Sequence, residues 1–540
     1  MGLSPRNQND GAGSGRIRGV IHRPGYWAGL QCACGKPGIG DTPVQKGHLR
    51  MGHRGWLAPL RARAGIAALA AALALAAAGS AEAETLKEAL NGAYKFNPRL
   101  DAARALQRAT DEEVPRALSG YRPTVAGSAD TTYEVQTTNP AATTGGGRAD
   151  AGNPRGYAVG LTQPLFRGFR TKNAVSLAEA TVRAGWEALR NTESSVLLEA
   201  VTAYMDVVRD QAILTLRENN VTVLTRDLAA TQARFQAGEV TRTDVEQAKA
   251  RRAGAVAALD LARANLKTSR AAFERVIGHP PSNLVEAKAS AIVPKTLAMG
   301  TEVALRESPA VVAALYREQA ARFNIDLIRG ELLPSVQLEA NHAKRYDPSP
   351  GSGIEWTEDN TVTGRLTVPF YSGGEVEARV RQAKQTQVQR LQEIEQARSE
   401  VQAQVVTAWS QLQAAKAAVE SDEVAVAANR VALAGVREEE RVGQRTLLDV
   451  LNAEQELLNS EVTLATDRRN VVVASYTVVS VIGRLNAQEL GVSSLVYDPE
   501  QHYQEVRNKW FDLSIVGPDG KPQPAPPPPP ARKKAPPPLK

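Results

Sequence analysis

The segment Pro164-Leu165-Phe166-Arg167-Gly168 recurs as Pro369-Phe370-Tyr371-Ser372-Gly373, 205 positions later. The same offset carries Ala203-Tyr204 onto Ala408-Trp409, Gly238 onto Gly443, Asp244-Val245 onto Asp449-Val450 and Ile277-Gly278 onto Ile482-Gly483. Upstream, Pro98 and Pro123 map onto Pro309 and Pro334 with an offset of 211, so a loop between 123 and 164 absorbs the difference. One match of this kind is weak, but so many at one spacing imply a unit of roughly 200 residues built twice. We place the first unit at 84–290 and the second at 291–490.

Each unit reads helix, strand, strand, long helix, turn, helix. In the first, about 85–119 is helical, with Asn97-Pro98 interrupting it near its start and Pro115 near its end. Residues 123–135 then alternate, Val125, Gly127, Ala129, Thr131, Tyr133 and Val135 against Thr124, Ser128, Asp130, Thr132 and Glu134. A loop containing Thr143-Thr144-Gly145-Gly146-Gly147 leads to a partner strand at 156–166 with Tyr157, Val159 and Leu161 on one face. The second unit sets Val336, Leu338 and Ala340 against Gln337 and Glu339, and returns with Val362, Leu366 and Val368 against Thr361, Thr363, Arg365 and Thr367. Strands of about 10 residues cross a bilayer when tilted. Four cannot close a barrel whose smallest known form has about eight, and open edges are not tolerated in lipid. Copies of the chain must pool their strands: two would supply eight, three would supply twelve.

Residues 170–235 and 375–440 contain no proline, and as helices each would extend ~100 Å at 1.5 Å per residue. Counted in heptads from Leu391, the a positions are Leu391, Arg398, Val405, Leu412, Val419, Val426 and Leu433. The d positions are Ile394, Val401, Ala408, Ala415, Asp422, Asn429 and Val436. Eleven of these 14 are apolar, as are 10 of the 14 equivalents at offset 205, which predicts a coiled-coil seam. The flanking helices, including 242–277, are about half as long, so two stacked end to end would match one long helix. The apolar run Val471–Ile482 is too short to span a membrane and reads as a packed helix end.

The formal charge of +7 is misleading, because residues 1–83 and 521–540 carry +7 and +5 and leave 84–520 at −5. A nucleic-acid partner is therefore not expected, since its binding face would have to be basic and folded. From Met51 the chain reads as a secretory signal, with Arg54, Arg61 and Arg63, an apolar stretch from Gly65 to Ala78, and a small-residue site at Ala81-Glu82-Ala83. Residues 1–50 read as an over-extended start, 51–83 as the signal, and Glu84 as the first mature residue. Cys32 and Cys34 both lie in that leader. The mature chain is then thiol-free, and its three histidines, His279, His342 and His502, are widely scattered. No metal site, cofactor or catalytic constellation is expected. Gly491–Val516 reads as an irregular segment packing on the helices, and 517–540 as a Pro/Lys-rich disordered tail.

The run Arg441-Val442-Gly443-Gln444-Arg445-Thr446-Leu447-Leu448-Asp449-Val450-Leu451-Asn452-Ala453-Glu454 closely resembles the second helix–turn tip of TolC-type outer-membrane channels. Gln236-Ala237-Gly238-Glu239-Val240-Thr241-Arg242-Thr243-Asp244-Val245 resembles the first, and the resemblance covers about 84–490. It implies a mixed, mainly α fold: a trimeric outer-membrane β-barrel of four strands per chain, twelve in total, continued by a long coiled-coil α-helical barrel. Each tip glycine would allow the reversal, with Thr243 or Thr446 and the following aspartate at the start of the returning helix.

Carried over position by position, the resemblance implies Asp244 and Arg445 as gate partners and Asp449 in an acidic pore ring. Two positions depart from the family pattern: Glu440 stands at the family's gate tyrosine and Asn452 at its second ring aspartate. Gly238, Glu239, Val240, Val442, Gly443, Gln444, Arg445 and Thr446 would form the tips on which a periplasmic adaptor docks. The implied function is non-enzymatic: a passive gated outer-membrane duct for small molecules or secreted proteins. Its partners would be two further copies, the adaptor, an inner-membrane transporter of ABC, RND or MFS type, and outer-membrane lipid. A periplasmic adaptor protein and a trimeric coiled-coil surface protein are the rival readings. The first would need a single hairpin flanked by soluble β-domains; the second would carry its strands near the C-terminus.

Overall fold

The computed structural model describes residues 84–138, 148–349, 353–492, 496–511, 513–516 and 522–523. Internal contacts divide the chain into residues 1–78 and 79–540, and every described residue belongs to the second unit. The expected leader, the Thr143–Gly147 loop and most of the tail lie outside the described residues.

The expected first helix is three pieces: α1 (Leu86–Phe96), α2 (Pro98–Asp111) and α3 (Glu113–Leu118). Asn97 makes the first break. It ends α1 with extended backbone, and its side chain accepts from Arg99 N at 3.0 Å to cap α2. Pro115 falls in the first turn of α3, where a missing N–H costs nothing. Then follow β1 (Thr124–Thr131), β2 (Glu134–Thr138), β3 (Arg148–Gly152) and β4 (Arg155–Arg167). The expected strand at 123–135 is thus divided, and β2 with β3 forms a separate two-stranded ladder. α4 (Arg170–Gln236) and α5 (Arg242–Ile277) complete the first unit.

The second unit repeats the plan with α6 (Leu297–Glu307), α7 (Pro309–Arg329), β5 (Ser335–Tyr346), β6 (Trp356–Thr367), α8 (Glu375–Arg441) and α9 (Leu447–Val481). α4 and α8 are both 67 residues long and begin 205 residues apart, as the repeat requires. No described helix is long and apolar enough to cross a membrane.

β1, β4, β5 and β6 form one antiparallel sheet in the order β1-β4-β5-β6, so the two repeats join through β4 and β5. Its register aligns Val125, Leu161, Ala340 and Val362 on one face. The opposite face carries the Arg365–Glu339 and Arg345–Asp130 ion pairs. Arg345 reaches Asp130 across Gly156, whose lack of a side chain leaves the path open. The alternation is not clean: past Ala340 the apolar face holds His342 and Lys344, bonded to Asn360 at 2.7 Å and to Glu358 at 3.4 Å.

The end-to-end stacking is realised along α4. α3 packs on its first turns through Val114, Ala178 and Val182, and α1 on its middle through Leu90, Leu197 and Val201. α5 takes over from there, with Phe273 and Ile277 in the same core and Ala255 against Leu224 nearer the tip. Tyr204 sits at the changeover, fully buried, its hydroxyl at 2.6 Å from Val285 O and 2.9 Å from Glu84 O. On α8 the predicted seam is buried at Ile394, Val401, Val405, Ala408, Leu412, Val426 and Leu433. The polar seam position Asn429 is satisfied by Ser460 of α9 at 2.7 Å. The end of α9 is buried through Val472, Val478 and Val479, as expected for a packed helix end.

The segment expected to be irregular at 491–516 contains a helix, α10 (Pro499–Arg507). Asp498 caps it and Pro499 occupies its first turn, a start signal the sequence reading passed over. β7 (Ile515–Val516) and β8 (Pro522–Gln523) form a short ladder, the second strand falling within the segment expected to be a disordered tail.

Candidate functional site

Both helix reversals follow one local design. α4 ends at Gln236; Gly238 takes φ +82°, and Glu239 N donates back to Arg234 O at 2.9 Å. α8 ends at Arg441; Gly443 takes φ +78°, and Gln444 N donates to Glu439 O at 2.8 Å. A left-handed residue after the last turn, with a bond spanning five residues, is the termination glycine favours. A side chain at either position would meet nothing within 4 Å, so dihedral angle, not space, selects glycine.

The returning helices open on matching capping boxes. Thr241 accepts from Asp244 N, and Asp244 Oδ2 receives Thr241 N–H at 2.9 Å and its hydroxyl at 2.8 Å. Thr446 and Asp449 repeat this at 3.0 and 2.8 Å. Thr241, not the expected Thr243, therefore caps the first returning helix. Thr243 lies inside the first turn of α5, and the S/T-x-x-acid spacing would have identified Thr241. The Thr446 N–H, the Thr446 hydroxyl and the nearby Arg445 charge hold the Asp449 carboxyl below the usual carboxylate range.

Within one chain the expected gate pair is not brought together. Arg445 Nε donates to Glu439 at 2.9 Å, while Asp244 is engaged by Thr241. Glu440 pairs with Arg234 at 2.5 Å, tying the last turn of α8 to the last turn of α4. Asn452 accepts from Arg251 of α5 at 2.8 Å. Both departures from the family pattern thus have arginine partners on the opposite repeat, which pattern reading could not anticipate. Gly238, Glu239, Val442, Gly443, Gln444, Arg445 and Thr446 are exposed, and Val240 is half-buried.

A further cluster behind the tips was missed. Glu454 is buried where Val450 and Leu458 form the apolar stripe of α9, and an acid at that spacing was its sequence signal. Arg437 of α8 donates to it. Asp227 of α4 lies against it, and Asp227 Oδ2 and Glu454 Oε2 are buried without a donor from elsewhere. Like charges so placed disfavour ionisation of both groups at once. Burial pushes both above the usual carboxylate range, partly offset at each by Arg437.

The four-stranded sheet, the paired long helices and the two glycine-turned tips are found in known proteins. The profile of the outer membrane efflux protein family matches residues 89–279 and 301–484. The outer membrane efflux protein BepC of Brucella suis is 39% identical over 442 residues, covering 82% of this chain and 94% of that protein. Outer membrane protein TolC of Escherichia coli is 26% identical over 438 residues, 76% and 84% of the two chains. The crystal structure of the Campylobacter jejuni CmeC outer membrane channel superposes with a TM-score of 0.64 at 17% identity, covering 78% of this chain and 89% of that one. The chain belongs to the outer membrane efflux protein family, and it is an outer-membrane exit duct whose helical part stands in the periplasm.

Proposed function

We propose that three copies of the chain close one duct, with β6 of each copy pairing with β1 of the next to give a twelve-stranded barrel. The observation that carries this is the strand order. β1 and β6 are the outer strands of the four-stranded sheet and run antiparallel to each other, so one can extend the ladder of the other. A four-stranded sheet in lipid must close through other copies, because free edges are too costly there.

The tips are the gate of this duct. Arg234–Glu440 and Arg251–Asn452 hold the two repeats together inside each chain, and Arg445 and Asp244 meet across neighbouring chains when the tips converge. Asp449 contributes one carboxylate per copy to a ring at the mouth, where a narrow opening focuses its field and favours cations. The exposed turns Gly238–Val240 and Val442–Thr446 dock a periplasmic adaptor, and an inner-membrane transporter supplies the energy. The duct is passive and carries small molecules or secreted proteins.

The test is electrical. Purified protein in a planar bilayer should form a cation-selective pore of low resting conductance. A wide, unselective pore would contradict the closed tip, and no pore at all would contradict the duct.

A further inference from the structure

The chain segment after α10 is anchored beside the foot of β1, and α10 itself on α2 and α4. α10 is docked by Tyr503, edge-on to Trp186 at 5.9 Å, and by Arg507 with Glu179 at 3.0 Å. His502 Nδ1 lies 2.9 Å from Asp111 Oδ2, whose side chain is fully buried. Beyond the helix, Arg122 at the foot of β1 donates to Lys509 O at 2.7 Å and sets its guanidinium 4.6 Å above the Trp510 ring. What this anchoring holds in place is apolar and open: Trp510 is 57% exposed, Phe511 94% and Leu513 104%.

A second open aromatic pair lies at the foot of β6, where Phe370 is 95% exposed and Tyr371 85%. The antiparallel order puts the start of β1 and the end of β6 at the same end of the sheet, on opposite edges. Three strand spacings of about 4.8 Å separate those edges within one chain. Across a closed seam they are neighbours: the foot of β6 in one copy comes beside the foot of β1 in the next, with its anchored Trp510.

We propose that Trp510, Phe511 and Leu513 of each copy form a clasp for Phe370 and Tyr371 of the adjacent copy, sealing the subunit seam where the strands give way to the helices. This rests on the three-copy closure proposed above and adds a partner to a segment outside the matched repeats. Continuity with the edge-strand seam favours a second copy over lipid as the occupant. Aromatic side chains each bury on the order of 150–250 Å² and prefer edge-to-face neighbours, so four rings and a leucine make a substantial contact at each seam.

The test uses full-length protein in its own outer membranes with benzoylphenylalanine in place of Phe511, and separately in place of Thr367. Irradiation of the Phe511 variant should join two copies, with the adduct mapping to residues 368–374. The Thr367 variant should cross-link to β1 and so reports closure independently. Closure without a Phe511 adduct to the 368–374 peptide overturns the clasp alone. Adducts of Phe511 with lipid alone make the segment a membrane anchor and also overturn it. Failure of both probes overturns the closure on which the clasp stands. A Phe511→Ala, Leu513→Ala double variant provides a second reading. Its trimer should dissociate on heating at a lower temperature with unchanged helix content, and an unchanged dissociation temperature would count against the clasp.

Discussion

Asp449 caps α9 with the same carboxylate that we propose for the pore ring. Its Oδ2 completes the cap of α9, and the resulting hydrogen bonds hold the carboxyl below the usual carboxylate range. Because the folded pKa is depressed, the stabilisation is present above the unfolded value and is lost only as pH falls through the lowered one. The ring charge should therefore persist throughout the neutral range. Asp449→Asn should move the reversal potential in a salt gradient toward zero and weaken block by divalent cations; unchanged selectivity would place Asp449 away from the pore. Arg445→Ala should raise the resting conductance severalfold if Arg445 reaches a neighbouring chain. An equally closed pore would reduce Arg445 to its local contact with Glu439. The tip glycines and aspartates were legible because their backbone requirements leave a sequence trace. The partners of Glu440 and Asn452 were not, because Arg234 and Arg251 lie some 200 positions away and meet them only through helix packing.

The helices α4, α8 and α9 meet at the Asp227, Glu454 and Arg437 cluster, where two buried carboxyl groups face each other. Both carboxyl pKa values are raised, and Arg437 opposes that rise without cancelling it. With raised folded values, the contribution is full below the unfolded pKa and is lost as pH rises through the folded one. Other charged groups at this junction are Glu440 with Arg234 toward the tip, and Arg251 and Arg252 from α5. Resting conductance should accordingly increase as pH is raised through this range. Glu454→Gln, which keeps the shape and removes the titration, should flatten that dependence, and an unaltered profile would remove the cluster from gating. Leu412→Ala, at a fully buried position of the α8 seam, should cost about 2–5 kcal/mol in unfolding experiments. Helix extents could be read ahead because the two long proline-free runs and the repeat constrained each other. The division of the first strand into β1 and β2 could not, since alternation continues unbroken through residues 131–135 and only pairing interrupts it.

At the scale of the assembly, the sheet is an incomplete object: among the described residues β1 and β6 each present an unpaired edge, and four strands are too few to close on themselves. The need for partner copies was legible from strand length and number; the number of copies was not, since two and three both satisfied the arithmetic. Removing 521–540 should leave assembly intact, whereas ending the chain at Asn508 should lower the thermal stability of the trimer by removing Trp510–Leu513. Heat dissociation followed on a detergent gel separates the two variants. The most direct test of the duct is the protein mass of material extracted from isolated outer membranes in mild detergent, measured by light scattering with the detergent contribution subtracted. Three chains per particle are predicted. A single chain per particle, or recovery only from the soluble periplasm, would contradict the closed barrel and the duct with it.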